Sequence, residues 1–261
     1  MPVPLGMHSA RLRAVRNLQT SKGRRESGRF AFEGITLLRE AVVAGRRVAE
    51  LYATNEAYDA HALVREIEGS GVPTYIVEER SAAKISDLQS PPGIVAVAET
   101  LHSPIEQLFW EDGLVLVLAD MSDPGNVGTL MRSAEAFGVT RVAIGRLGAD
   151  PYHPKVVRAA MGALFRLRIA LADPLELSAA AAAGWTIVGL AAAGTPLARF
   201  GWPTRCVMVV GQERHGLGRW EDACAACLAI PMCDPVDSLN ASVAGSIALY
   251  EAAKRAAPGT A

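Results

Sequence analysis

"GLVLVLADMSDPGNVGTLMRSAEAFGV", residues 113–139, runs an apolar stretch into a helical pattern through a Pro-Gly turn. Residues 114–119 are apolar at every position, which fits a strand covered on both faces inside a parallel sheet better than an antiparallel strand with one wet face. Pro124 and Gly125 make the turn, and Asn126 reads as the N-cap of a helix reaching about Phe137. Open parallel sheets bind their ligands at such strand–loop–helix corners. This corner lacks G-x-G-x-x-G, however, and that disfavours a nucleotide-dependent oxidoreductase. Arg132 emerges six residues after Asn126 among the packing residues Val127, Leu130, Met131 and Ala134. It must either snorkel to solvent or meet a negatively charged partner.

Further apolar runs follow at "RVAIG", "LRIAL", "WTIVGLAA", "CVMVVG" and "CLAIPM", most of them before a helical pattern. The expectation is a parallel-sheet α/β domain over residues 104–261. Before it, "RFAFEG", "ITLLREAVVAG", "VAELYAT", "AYDAHALVREIEGSG", "VPTYIVEE" and "GIVAVAE" alternate short strands with amphipathic helices, giving a small α/β domain over residues 1–103. The stretch from about 100 to 113, with Pro104, reads as a linker. The Ala run at 179–183 reflects helix propensity alone.

The chain has 261 residues, half of them hydrophobic, and its formal net charge is −1. No window approaches eighteen consecutive apolar residues and no signal-peptide pattern opens the chain, so a soluble cytoplasmic protein is expected. Cys206, Cys224, Cys227 and Cys233 are expected to be free thiols, as in a reducing compartment. Cys224 and Cys227 have no second ligand pair at suitable spacing, so no metal is expected. His153 and His215 read as loop residues, and Trp110, Trp185, Trp202 and Trp220 as buried anchors. The charge is uneven: residues 1–29 carry seven Lys and Arg against Glu26 alone, +6 at one end and −7 in the rest. Such a segment, Arg24 and Arg25 included, can neutralise RNA phosphates, although a solvated helix face has the same composition.

The loops after three of the strands carry the chemistry. The first has N-x-G-x-x-x-R from Asn126 to Arg132, the second G-x-E-x-x-G-L from Gly211 to Leu217, and the third I-P-M at 230–232 followed by S-L-N-x-S from Ser238 to Ser242. In that order they resemble the three motifs of the SpoU (TrmH) class of RNA ribose 2′-O-methyltransferases, within the SPOUT superfamily. The resemblance spans about residues 114–255. "KGRRESGRFAFEGITLLREAV" and "PPGIVAVAE" are similar to the first and last parts of a ribosomal-protein-like RNA-binding domain that many members carry. "HPKVVRAAMGALFRL" resembles a stretch found between the first and second motifs.

The resemblance implies a trefoil knot in the C-terminal domain, S-adenosylmethionine as cofactor, RNA as substrate and a homodimer. It places the cofactor against Gly211, Gln212, Ile230, Met232, Leu239 and Ser242. It makes Arg132, Asn126, Glu213, Ser238 and Asn240 the catalytic set, with Arg132 stabilising the developing alkoxide, since a guanidinium is too weak an acid to serve as a base. Ribosomal RNA is favoured over transfer RNA by analogy with the N-terminal domain. The alternatives are a transfer RNA 2′-O-methyltransferase and a non-catalytic RNA-binding protein; presence of the whole residue set disfavours the second.

Overall fold

The computed structural model describes residues 2–6, 8–233 and 238–256. Residues 234–237 and the terminal "APGTA" lie outside them. The chain divides into two compact units, Met1–Thr100 with Tyr152–Phe165, and Leu101–Pro151 with Arg166–Ala261.

The first unit holds β1 (Val3–Leu5), α1 (Ala10–Asn17), α2 (Ser21–Ser27), β2 (Arg29–Glu33), α3 (Ile35–Val43), β3 (Glu50–Ala53), α4 (Asn55–Ala60), α5 (Ala62–Gly69), β4 (Thr74–Val77), α6 (Glu79–Ile85) and β5 (Ile94–Glu99). Its five strands are ordered β1-β4-β3-β5-β2, with β5 antiparallel to both β2 and β3. β1 is an addition that the hydrophobic pattern does not signal, and the single helix expected from "AYDAHALVREIEGSG" is broken at His61, whose backbone is extended. Tyr52, Tyr75, Val95 and Val97 pack with Leu12 and Val15 of α1.

The α1–α2 corner explains a residue that the charge reading misassigns. A Cβ on Gly23 would lie 2.1 Å from the Asn17 carbonyl oxygen, so the two helices meet as closely as backbone allows. Arg24 follows, 3% exposed, and its Nη1 donates to the carbonyls of Leu18 (2.8 Å) and Gln19 (3.0 Å) just past the end of α1. Its guanidinium satisfies backbone acceptors and is not presented to a phosphate. Arg13, Arg16 and Arg25 are exposed.

Residues 152–165 belong to this unit although they lie within the expected second domain. α8 (Pro154–Ala159) is capped by His153, Tyr152 packs its ring on Phe30 at 4.7 Å, and Phe165 meets Phe32 edge-on at 5.0 Å. The segment brings its own aromatic side chains to β2, a relation that periodicity along the chain cannot express.

The second unit contains β6 (Gly113–Leu118), α7 (Pro124–Ala136), β7 (Arg141–Gly145), β8 (Arg168–Ala172), α9 (Pro174–Ala182), β9 (Thr186–Pro196), β10 (Arg205–Val210), β11 (Ala226–Ala229) and α10 (Ala241–Ala256). Its sheet is ordered β11-β9-β10-β6-β7-β8 and every pairing is parallel. The expected linker folds into this unit as a 3-10 helix, Ile105–Phe109, that buries Ile105 and Leu108 in the core. Trp185 and Trp220 are buried as expected, but Trp110 is 71% exposed and anchors nothing. The four cysteines are free. No helix among the described residues is long and apolar enough to cross a membrane.

Two irregularities in this unit shape its carboxyl edge. The chain steps outward from β6 through β7 to β8, then crosses to β9 on the other side, leaving a switch point beside β6. The β9–β11 register also jumps, from Cys227 opposite Gly189 to Leu228 opposite Thr195, so that residues 190–194 bow out of the ladder.

Candidate functional site

Asp120 closes β6 with φ +48, a left-handed conformation that costs an ordinary L-residue about 1–2 kcal/mol and that Asp tolerates better than most. Its carboxylate is buried and receives the Leu147 amide (3.1 Å), Arg219 Nε (2.7 Å) and Trp220 Nε1 (2.8 Å). Burial opposes its ionisation. The bonds from Arg219, Trp220 and Leu147, with the Arg219 charge, outweigh that and hold the carboxyl below its ordinary range. Arg219 also reaches Asp173 (2.6 Å), which pairs with Arg146 (2.9 Å).

The next turn differs from the expectation. Asp123, not Asn126, is the N-cap of α7: its side chain accepts the Asn126 amide at 2.8 Å and Pro124 takes the first turn, where a missing N–H costs nothing. Asn126 therefore stands inside the helix with its side-chain amide free for other work. Its Nδ2 donates to Glu213 Oε1 at 3.0 Å.

Glu213 lies in a tight loop after β10. Gln212 and Gly216 exchange two backbone hydrogen bonds of 2.9 Å, and a Cβ on Gly211 would sit 2.0 Å from the Gly216 carbonyl oxygen. Only glycine fits at 211. Gln212 Nε2 donates to the Asp120 carbonyl at 2.7 Å, which ties this loop to the end of β6. Asn240 completes the cluster. Its Nδ2 donates to Glu213 Oε1 and to Asn126 Oδ1 (3.1 Å), while its Oδ1 caps α10 through the amides of Ser242 (3.0 Å) and Val243 (3.3 Å). One carboxylate oxygen thus gathers two asparagines from opposite ends of the unit's sequence.

Beside the cluster is a cavity of about 190 Å³ lined by Leu190, Ala191, Ala192, Gly211, Gln212, Leu228, Ile230, Met232, Ser238 and Leu239, among others. A second, more polar recess of about 360 Å³ is lined by Ser122, Asp123, Asn126, Glu213, Arg214 and His215; both share Gln212, Glu213 and Ala241. Apolar walls with main-chain groups at their edges suit a neutral purine, and the polar recess suits a ribose or phosphate.

Of the expected cofactor residues, Gly211, Gln212, Ile230, Met232 and Leu239 line the cavity. Ser242 does not: it is buried, and its hydroxyl donates to Asn240 Oδ1 at 2.6 Å, so its part is to hold Asn240. Ser238, expected with the catalytic set, lines the apolar cavity. Leu190, Ala191 and Ala192, which follow "WTIVG" and are not among the expected residues, also line the cavity from the middle of β9, where its register with β11 jumps. Their signal was positional, and the bowed-out register that aims them inward leaves no trace in composition. Arg132 is exposed and makes no hydrogen bond to Asn126, Glu213 or Asn240. Six residues along α7 displace it about 9 Å down the axis and about 120° around it. Among the described residues, no group of three or more His, Cys, Asp or Glu is placed to hold a metal.

A family model for the SpoU rRNA Methylase family matches residues 113–250, and one for an MRM3-like substrate binding domain matches residues 9–96. The 23S rRNA (guanosine(2553)-2'-O)-methyltransferase RlmP of Bacillus subtilis is 28% identical over 238 residues, which cover 90% of this chain and 92% of that one. The ribosomal RNA small subunit methyltransferase G 2 of Syntrophobacter fumaroxidans is 39% identical over 135 residues, covering 51% of this chain and 26% of that relative's length. Among solved structures, the SpoU methyltransferase AviRb of Streptomyces viridochromogenes in complex with AdoMet has a TM-score of 0.85 at 28% identity, with 95% of this chain and 98% of that one covered.

Proposed function

The chain belongs to the SpoU rRNA methylase family, and from that premise we propose that it is an S-adenosylmethionine-dependent methyltransferase acting on a ribose 2′-hydroxyl of ribosomal RNA. The observation that carries the reading is the gathering of Asn126 and Asn240 on Glu213, which itself lines both recesses. When bound, S-adenosylmethionine supplies an electrophilic methyl group on a sulfonium. The cavity walls Leu190, Leu228, Ile230, Met232 and Leu239 exclude water from the purine, and Gly211 lets it approach the backbone. Asn126, Glu213 and Asn240 form the polar face against which a ribose is oriented. Transfer would form the oxygen–methyl bond as the methyl–sulfur bond breaks, releasing S-adenosylhomocysteine and passing the hydroxyl proton to solvent; the negative charge developing on the oxygen calls for a cation. Arg132 is that cation in this reading.

Because Arg132 stands away from the cluster in its own protomer, the reading includes a homodimer in which one copy's Arg132 serves the other's site. α10 supports it: Val243, Ile247 and Tyr250, 46%, 37% and 50% exposed, recur at helical spacing and form an apolar stripe open to solvent. The family reading also brings the trefoil knot, a cytoplasmic location, and a division of labour in which the first unit grips RNA through Arg13, Arg16 and Arg25.

Incubating the purified protein with labelled S-adenosylmethionine and unmodified ribosomal RNA tests the proposal. Label should appear as 2′-O-methylribose at a discrete position. Calorimetry should show binding of S-adenosylhomocysteine and none of NAD. Absence of both methyl transfer and S-adenosylhomocysteine binding would leave a non-catalytic RNA-binding protein.

A further inference from the structure

We propose that Asp120 is a positioning residue for methyl transfer: from beneath the site it sets the geometry of the Asn126–Glu213–Asn240 cluster. This rests on the functional reading above and assigns a role to a residue outside the three motifs.

Asp120 bonds in two directions. Its carboxylate receives donors from the loop after β7 (Leu147) and from the segment after the Gln212–Gly216 loop (Arg219 and Trp220), and Arg219 links it onward to Asp173. Its carbonyl oxygen accepts Gln212 Nε2 at 2.7 Å. Glu213 comes next in the chain and carries Asn126 and Asn240. The path Asp120–Gln212–Glu213–Asn240 therefore joins the end of β6 to the start of α10, from the Asp120 main-chain carbonyl through the Gln212 side chain and then through the side chains of Glu213 and Asn240.

Little slack exists along that path. A Cβ on Gly145 would lie 2.3 Å from Asp120 Oδ1, so the carboxylate is walled in on that side by backbone. The left-handed backbone at Asp120 turns its carbonyl and carboxylate toward separate partners, and five hydrogen bonds from four residues over-determine it. An enzyme that must orient a weak nucleophile within a fraction of an ångström needs such support behind its contacting side chains.

The test compares wild type, Asp120→Asn, Arg219→Ala and Arg219→Lys as full-length protein. Asn matches Asp in shape and tolerates the left-handed backbone, so folding should survive. Arg219→Ala changes a partly exposed side chain and reports independently if Asp120→Asn does not fold. Side-chain amide NMR signals of Asn126 and Asn240, assigned through Asn→Ser variants, should shift or broaden in Asp120→Asn and Arg219→Ala. The value of kcat should fall about tenfold or more while KM for RNA and S-adenosylhomocysteine affinity stay within about threefold, with Arg219→Lys recovering part of the loss. Unmoved asparagine signals overturn the proposal whether or not activity is found, as does an unchanged kcat, or a loss shared equally by kcat, KM and cofactor affinity. Moved signals in a protein whose wild type transfers no methyl group would uphold the positioning of the cluster and sink the functional reading instead.

Discussion

Asn126 and Glu213 lie 87 residues apart in the chain and 3.0 Å apart in space, joined by Nδ2–H···Oε1. The same oxygen also accepts Asn240 Nδ2 and, at 3.4 Å, the Ala241 amide. Three donors on one oxygen make Glu213 the organiser of the cluster, and its negative charge is what holds them.

Glu213→Gln keeps the size of the side chain but turns a charge-assisted acceptor into a neutral one. Each lost charge-assisted bond is worth about 1–2 kcal/mol at a partly exposed site, so kcat should fall about tenfold to a hundredfold. Single-turnover methyl transfer measures it, and activity within about twofold of wild type would show that the asparagines orient themselves.

Arg132→Ala should abolish transfer while leaving S-adenosylhomocysteine affinity unchanged, since Arg132 does not line the apolar cavity. A shared site adds a sharper expectation. If Arg132 and Glu213 act from different protomers, mixing Arg132→Ala chains with the impaired Glu213→Gln chains under exchange raises activity to about a quarter of wild type, one intact site per heterodimer. No recovery despite verified exchange places both residues in one protomer's site or removes Arg132 from the mechanism.

The first unit separates two kinds of arginine. Arg24→Ala leaves the Leu18 and Gln19 carbonyls without their buried donor, at a cost of about 1–3 kcal/mol, and should lower the unfolding midpoint by several degrees, with RNA affinity following only the folded fraction. Arg13→Glu with Arg16→Glu should leave the midpoint nearly unchanged and flatten the salt dependence of RNA binding by about two phosphate contacts. Thermal denaturation and binding at several salt concentrations distinguish them; the reverse pattern would return Arg24 to the RNA surface.

The parallel sheet and the loops of the site were legible because a doubly covered strand is apolar throughout and its polar loops stand out against it. Much of the apolar cavity followed, since Gly211, Ile230, Met232 and Leu239 all leave carboxyl ends of strands or lead into α10. What stayed hidden depends on relations between distant residues. Asn126 looked like a cap because Asx residues commonly are caps; only the competing bond from Asp123 frees it. Arg24 and Arg25 are identical neighbours in sequence, yet one is turned onto the end of α1 and the other to solvent. The bow at residues 190–194 arises from the register with β11, and the place of Tyr152–Phe165 from aromatic packing on β2.

Acid should reach the site through Asp120. Its folded pKa is depressed, so the charged carboxylate contributes stability that is fully present above its ordinary value of 3.8 and lost as pH falls through the lower, folded value. In wild type the unfolding midpoint should therefore drop steeply below about pH 4, as Asp120 takes up a proton and Arg219, Trp220 and Leu147 lose their shared acceptor. Asp120→Asn cannot take up that proton. It should be less stable than wild type at neutral pH, and the two midpoints should converge as pH falls through the acid range. Arg219→Ala should shrink the same acid-dependent difference by raising the folded pKa of Asp120 back toward its ordinary value. Thermal scans of the three proteins between neutral pH and pH 3 measure the convergence. Parallel curves, with the wild-type advantage unchanged down to the lowest pH, would mean that the Asp120 charge contributes nothing differential between the folded and unfolded chains.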